Sequence, residues 1–228
     1  MAYRENGPVQ LVNQLSQGDY VIDYDECEDD YSQRSEYMHL AIMTLLQKAQ
    51  EAKLKEEQYK KELMEARKMR IEEVDGDGNC LFRAVAYQMY GDVELHQMVR
   101  EKCMDYILAN RNQFIAFIDT DEDETIEEYC DRKRKLKIWG DNLEIQALAE
   151  MYERQIELFS YTTEPMLKFH EQSDDSLEPI RISYHGKNHY NAVVPQEWDP
   201  VKDNLIDEEA GQVEDWAIQQ VEEKNMLN

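Results

Sequence analysis

Cysteine, proline and glycine are scarce in this chain, and so is positive charge. Four cysteines in 228 residues, none of them spaced as CxxC, exclude a disulfide framework and a zinc ribbon. Only 25 Lys and Arg stand against 50 Asp and Glu, a formal charge of −25. A surface that acidic repels phosphates and anionic headgroups, so nucleic acid and membrane surfaces are excluded as partners. No uncharged run is long enough to span a bilayer, and the opening MAYRENGPVQ has no apolar leader core. The expectation is a reducing setting, cytoplasmic or nuclear, in which thiols stay free. What the chain does have is apolar material for a core, 42% of residues with 14 tyrosines. Its length fits one domain of about 150 residues with extensions.

Charge and periodicity divide the chain. Residues 1–35 read as an acidic, disordered tail around Asp23-Tyr-Asp-Glu-Cys-Glu-Asp-Asp-Tyr31. Residues 36–70 read as one long charged helix, with Ile42, Leu45, Ala49, Ala52, Tyr59 and Leu63 at 3–4 spacing and Glu56 interrupting the stripe. That helix is either a partner-binding arm or packed on its own domain. Residues 71–195 form the body, and 196–228 a linker with an acidic helix near 207–225. In the body, the apolar segment Cys80–Tyr90 predicts a helix stopped by Gly91. Helical patterns follow at 93–109, 110–118 and 124–137, and a capping box, Asp141 with Glu144, starts another. The period then changes to 2: Ile156–Tyr161, Ile180–Tyr184 and His189–Val194 read as strands, the last two as a hairpin over Gly186-Lys-Asn188. Helices first and strands last predict an α+β domain with a small sheet.

The chemistry concentrates in Asp75-Gly-Asp-Gly-Asn-Cys80. It is no calcium loop, because Cys80 occupies the glycine position and Ala86 the bidentate-carboxylate position. It is no dinucleotide fingerprint, because Leu81 replaces the third glycine. It does read as a nucleophile turn. Cys80 would sit in the first turn of a helix, where unpaired N–H groups and the dipole favour a thiolate. The backbone of Gly78, Asn79 and Cys80 would offer an oxyanion hole, with Asp77 bracing the loop. A thiol nucleophile needs a base and a group to orient it. His189 opens a predicted strand and Asn191 shares its face, so the amide can orient the imidazole. His185 is the rival. His39 lies in the outlying helix, His96 on a surface helix and His170 beside an acidic loop. A His185/His189 metal pair lacks a third ligand close in sequence, so neither metal nor cofactor is expected. Cys103 and Cys130 read as structural.

Asp77-Gly-Asn-Cys80-Leu-Phe-Arg83 and His189-Tyr-Asn191 closely resemble the two signature motifs of the ovarian-tumour (OTU) cysteine proteases, which are deubiquitinases. Trp139-Gly-Asp-Asn-Leu-Glu144 with Gln146-Ala-Leu-Ala149 resembles the family's Trp-Gly helix start. Cys103-Met-Asp-Tyr106, Arg132-Lys-Arg-Lys135, Ala149-Glu-Met-Tyr152, Thr163-Glu-Pro165, Glu178-Pro-Ile-Arg181 and Ser183-Tyr-His185 are similar to the deubiquitinating-enzyme-A subfamily. The resemblance spans Ile71 to Val194. It implies a papain-like fold, a small sheet between helical layers, and hydrolysis of the bond between ubiquitin's C-terminal glycine and a lysine. Cys80 would be the nucleophile, His189 the base and later acid, Asn191 the orienting group, and Asp77 the loop residue three before the cysteine. Ubiquitin and polyubiquitin chains would be the partners, with the long helix free for another protein. The alternative is an inactive ubiquitin-binding scaffold of the same fold. Asn191 departs from the charged third member, so it orients the imidazole without stabilising imidazolium by charge. The acidic stretches Asp119–Glu124 and Glu171–Asp175 read either as solvated surface loops or as loops that attract the arginines of ubiquitin's tail, and the basic run Arg132–Lys137 reads as a solvated helix face or else as a contact for ubiquitin or a recruiting partner.

Overall fold

The computed structural model describes residues 31–118, 124–171, 176–186 and 188–205. The chain divides into two units, Met1–Gln58 and Tyr59–Asn228. Helix α1 (Tyr31–Arg67) runs through the division. No glycine or proline interrupts it, and Ala, Leu, Lys, Glu and Gln dominate, all good helix formers. In the first unit its apolar side chains Met38, Ile42 and Leu45 are exposed. The helix begins inside the stretch predicted as tail and ends three residues early, at Arg67, after which Lys68 turns the chain with a left-handed φ of 56°.

The second unit is built on a five-stranded sheet in the order β1-β5-β4-β2-β3: β1 (Met69–Glu72), β2 (Ile156–Phe159), β3 (Leu167–Phe169), β4 (Ile180–His185) and β5 (His189–Pro195). All pairings are antiparallel except β2 with β4. Between β1 and β2 lie α2 (Cys80–Tyr90), α3 (His96–Ala109), the short α4 (Arg111–Phe114), α5 (Ile126–Lys133) and α6 (Asn142–Met151). Alternation along β4 and β5 sends Ile180, Ile182, Tyr190 and Ala192 into a core with α2, α3 and α6. Val193, with Phe159, meets Tyr59 and Leu63 from the end of α1 on the opposite face. The sheet is thus covered by helices on both sides.

Two local signals work as the residues dictate. Gly91 adopts φ 72° and returns its N–H to the Tyr87 carbonyl, ending α2. Asp141 and Glu144 form the reciprocal capping box of α6, a cap whose loss costs about 1 kcal/mol. Strands β1 and β3 form outside the segments whose sequence alternates with period 2. The 124–137 pattern narrows to α5, and 110–118 splits into α4 and a 3-10 turn, Ile115–Phe117. The expected helix near 207–225, the 1–30 tail, and most of the two acidic loops lie outside the described residues. Residues 196–205 strap back onto the body through Gln196 N–H to the Lys68 carbonyl (2.8 Å) and Leu205 N–H to the Gln88 carbonyl (2.9 Å). Among the described residues no helix is long and apolar enough to cross a membrane.

Candidate active site

Cys80 is the first residue of α2, 4% exposed. Leu81, Phe82, Val85 and Met89 of that helix are buried in the core, which anchors its first turn. β5 starts at His189, more than a hundred residues later, and the hairpin brings its imidazole close enough to the Cys80 sulfur for each group to shift the other's titration. The ring's Nε2 faces the Asn191 side-chain oxygen at 2.9 Å. That oxygen also accepts the Val74 N–H at 3.1 Å. A backbone N–H can only donate, so the atom is an oxygen and Nε2 must carry the proton it donates. Nδ1 is left to exchange a proton with the sulfur, the tautomer a general base requires.

The electrostatics follow from these contacts. Burial alone would push the Cys80 thiol up. The hydrogen bond with His189, backbone N–H groups of Tyr190 and Leu81, and the imidazolium charge outweigh it, so the thiol lies below its ordinary value. His189 moves the other way. Its bond to Cys80 raises it, against burial, and the thiolate charge, Asn191 and the Val74 backbone add to the rise. The two shifts are one coupled titration that favours thiolate and imidazolium together.

Asp77 stands with the loop, not with the sulfur. It accepts the Asn79 N–H (3.0 Å), the Asn79 amide (2.8 Å) and Arg83 Nη2 (3.2 Å). Burial would raise its carboxyl, but these donors hold it at about 2. It is therefore charged throughout the working range. The Asn79 N–H is consumed by Asp77, which corrects its expected place in an oxyanion hole: an amide bonded within its own turn has no proton for a substrate. The Cys80 N–H belongs to the first turn and has no intrahelical acceptor. Gly78 adopts φ +87°, and a Cβ there would lie 2.3 Å from the Lys137 carbonyl oxygen. Glycine is required at that point on both counts.

The opposite wall of the cleft is the turn into α6. Cys80, Trp139, Gly140, Asp141, Tyr184 and Tyr190 line a cavity of about 300 Å³. Gly140 packs so tightly on Leu81 that a Cβ would come within 2.3 Å of its Cδ2. Lys133 is buried rather than solvated as expected for the basic run. Its Nζ bonds the Trp139 carbonyl (2.9 Å) and the buried Glu144 carboxylate (3.0 Å), which also takes the Tyr129 hydroxyl. Arg132 pairs with Glu124 and Arg134 with Asp105, so this run holds the turn in place.

His185, the rival base, is buried against Tyr59 and Tyr161 and hydrogen-bonded to Ser183 Oγ (2.6 Å). His96 is also buried, not on a surface, and burial depresses it. His39 is exposed on α1. Cys103 and Cys130 are free and buried, and desolvation pushes both thiols up, Cys130 to about 11. Sequence reasoning missed Arg100, which lies beneath the nucleophile turn. The signal was present: Cys103, Met104 and Ile107 stand three, four and seven residues on, so Arg100 belongs to the buried stripe of α3.

Residues 75–190, just over half the chain, match the family described as OTU-like cysteine protease. The Arabidopsis thaliana "OVARIAN TUMOR DOMAIN-containing deubiquitinating enzyme 6" is 46% identical over 140 residues, covering 61% of this chain and 27% of that protein. "OTU domain-containing protein 5" of Homo sapiens is 38% identical over 169 residues, covering 72% and 29%. The chain thus spans under a third of the length of these relatives. A solved OTUD1 OTU domain superposes with a TM-score of 0.53 at 27% identity, covering 63% of this chain and 94% of the other.

Proposed function

This chain belongs to the OTU-like cysteine proteases, and from that premise we propose that it is a deubiquitinase, a thiol hydrolase of the isopeptide bond between ubiquitin's C-terminal glycine and a lysine. The observation that carries the reading is the adjoining series Cys80, His189, Asn191, with Cys80 lining a cleft and the last two hydrogen-bonded at 2.9 Å. The name of the Arabidopsis relative supports the reaction class.

In this reading the Cys80 thiolate attacks the isopeptide carbonyl, and the carbonyl π electrons move to oxygen. The Cys80 N–H faces the oxyanion, with the Gly78 N–H beside it. Collapse of the intermediate breaks the C–N bond, and imidazolium His189 gives its proton to the departing lysine amine. Water then attacks the thioester, passing a proton to His189, and the thiolate leaves. Asn191 keeps the ring in one tautomer throughout. Asp77 holds the loop.

A ubiquitin whose C-terminus carries an electrophile tests the reading against an inactive scaffold. One ubiquitin is expected to be attached at Cys80, read by peptide mass spectrometry. Reversible binding without a covalent product would leave only the scaffold.

The exposed part of α1 supports a second interaction. Met38, Ile42 and Leu45 continue as Ala49 and Ala52 in a heptad seam, and Lys48, Lys53 and Lys55 occupy its flanks. Two copies would set lysine against lysine, so the partner suited to it is an amphipathic helix with acidic flanks. A heptad peptide with glutamate flanks is expected to bind at least about tenfold tighter than its lysine-flanked twin. Equal binding would remove this reading.

A further inference from the structure

The strap that follows β5 encloses a second cavity of about 330 Å³, away from the nucleophile. Gln88 and Val194 line it, near the ends of α2 and β5 that lie farthest from Cys80 and His189. At the rise of a helix and of a strand, those positions stand about 12 Å and 17 Å along the chain axis from the two reacting groups. No residue lines both cavities. The second one is built by fixed contacts. Leu205 donates its N–H to the Gln88 carbonyl (2.9 Å), and its own carbonyl accepts Arg154 Nη2 (2.8 Å). The Trp198 indole N–H donates to the Asp203 carbonyl (2.9 Å), and the Tyr87 ring packs on the indole with 4.8 Å between centres. The indole therefore stands in one orientation at the wall of a cavity large enough for a ligand group.

The lining sets apolar surface beside acid. Trp198, Pro195 and Leu205 give the apolar walls, and Glu178, Glu197 and Asp203 bring carboxylates. The one cation in the lining, Arg181, is already engaged, Nε by Glu157 (3.1 Å) and Nη2 by Glu178 (3.1 Å). Glu197 forms no hydrogen bond or ion pair among the described residues. Asp203 receives the Asp199 N–H on one oxygen (2.7 Å) and keeps the other. Carboxylates next to an indole and a proline suit a side chain with an apolar stem and a cationic head. Arginine fits best, since its planar guanidinium both stacks on indole and forks onto carboxylates.

The other occupants fail on charge. Residues 206–228 continue directly from Leu205, but they carry seven Asp and Glu against one Lys. A second copy would bring the same net charge of −25. Both are repelled by the acid of the lining.

We propose that this cavity is a docking site for an arginine-bearing segment of a partner protein: the arginine stem lies along Trp198 and Pro195, and its guanidinium meets Glu197, Glu178 and Asp203. The site needs nothing from Cys80, so it stands or falls apart from the hydrolase reading.

The test is fluorescence anisotropy of a labelled Gly-Ser decapeptide bearing two arginines, titrated with the full chain at about 0.15 M salt. A twin peptide carries citrulline, which keeps the shape of arginine and drops the charge. The arginine peptide is expected to bind at least about tenfold tighter than its twin. Glu197→Gln is expected to weaken it about fivefold and Trp198→Leu about tenfold. Glu65→Gln removes the same charge from the surface of α1 and should change the affinity less than about twofold. Equal binding of the citrulline twin, or a loss in Glu65→Gln as large as in Glu197→Gln, would mean diffuse attraction to an acidic surface and would overturn the proposal. So would a folded Trp198→Leu protein with unchanged affinity. Should Trp198→Leu fail to melt cooperatively, Glu197→Gln and the citrulline twin decide: losses in both support the site, and no loss in either one overturns it. An unaltered chain that binds neither peptide would overturn it outright.

Discussion

Cys80→Ala is expected to abolish di-ubiquitin cleavage while the fold stays intact. In the proposed reaction the sulfur is the atom that forms the bond to the substrate carbonyl, and a methyl group has no electron pair to offer. His189 could only activate water in its place, across the gap the sulfur leaves. A fall of at least about 10⁴-fold in kcat is the scale set by loss of a nucleophile from a cooperating triad. Stability should barely change. Alanine is the better helix former in the first turn of α2, and the lost atom is small. The shift in unfolding free energy is expected within about 1 kcal/mol. Side-by-side gel assays of several di-ubiquitin linkages, with thermal melts of both proteins, check this. Cleavage retained above about a hundredth of the unaltered rate would remove Cys80 from the chemistry.

Much of this arrangement is legible in the sequence, for definable reasons. Helix α2 is apolar throughout and is punctuated by Gly91, where only a left-handed residue returns its N–H to Tyr87. The β4–β5 hairpin alternates cleanly, and period 2 alone puts His189 and Asn191 on one face, where they bond at 2.9 Å. The α6 capping box is a three-residue pattern that needs no tertiary context. What escapes the sequence is set by distant partners. Met69-Arg-Ile-Glu72 continues a helical composition and becomes a strand only because Val193 and Val194 lie opposite it. Leu167-Lys-Phe169 is too short to show a period. Lys133 belongs to a basic run, and nothing local tells that Glu144 will bury it. The Asn79 amide is engaged by an aspartate two residues away, a local turn bond that competes with any role in binding substrate.

His189→Ala is expected to lower kcat by about 10²- to 10⁴-fold, the range for loss of a general acid–base. Its pH dependence should change in kind as well as size. In the unaltered protein the thiol is lowered and the imidazole raised, each chiefly through the other against its own burial. If this pair does the chemistry, activity is therefore expected to rise as the pH climbs through its lower apparent value, where the thiolate forms. It falls as the pH climbs through the upper value, where the ring loses the proton owed to the leaving amine. The result is a bell whose limbs belong to the pair. Removing the imidazole takes away the leading cause that lowers the thiol, while burial, which raises it, persists. The Cys80 midpoint must then move upward, and residual alkylation should increase steadily with pH without the neutral plateau. Asn191→Ala should keep the bell and lower its height, since Asn191 holds the ring but carries no proton of the reaction. A His189→Ala protein whose Cys80 alkylation midpoint equals that of the unaltered chain would mean that some other group sets the thiolate, and the pairing of these two side chains would have no part in activating the sulfur.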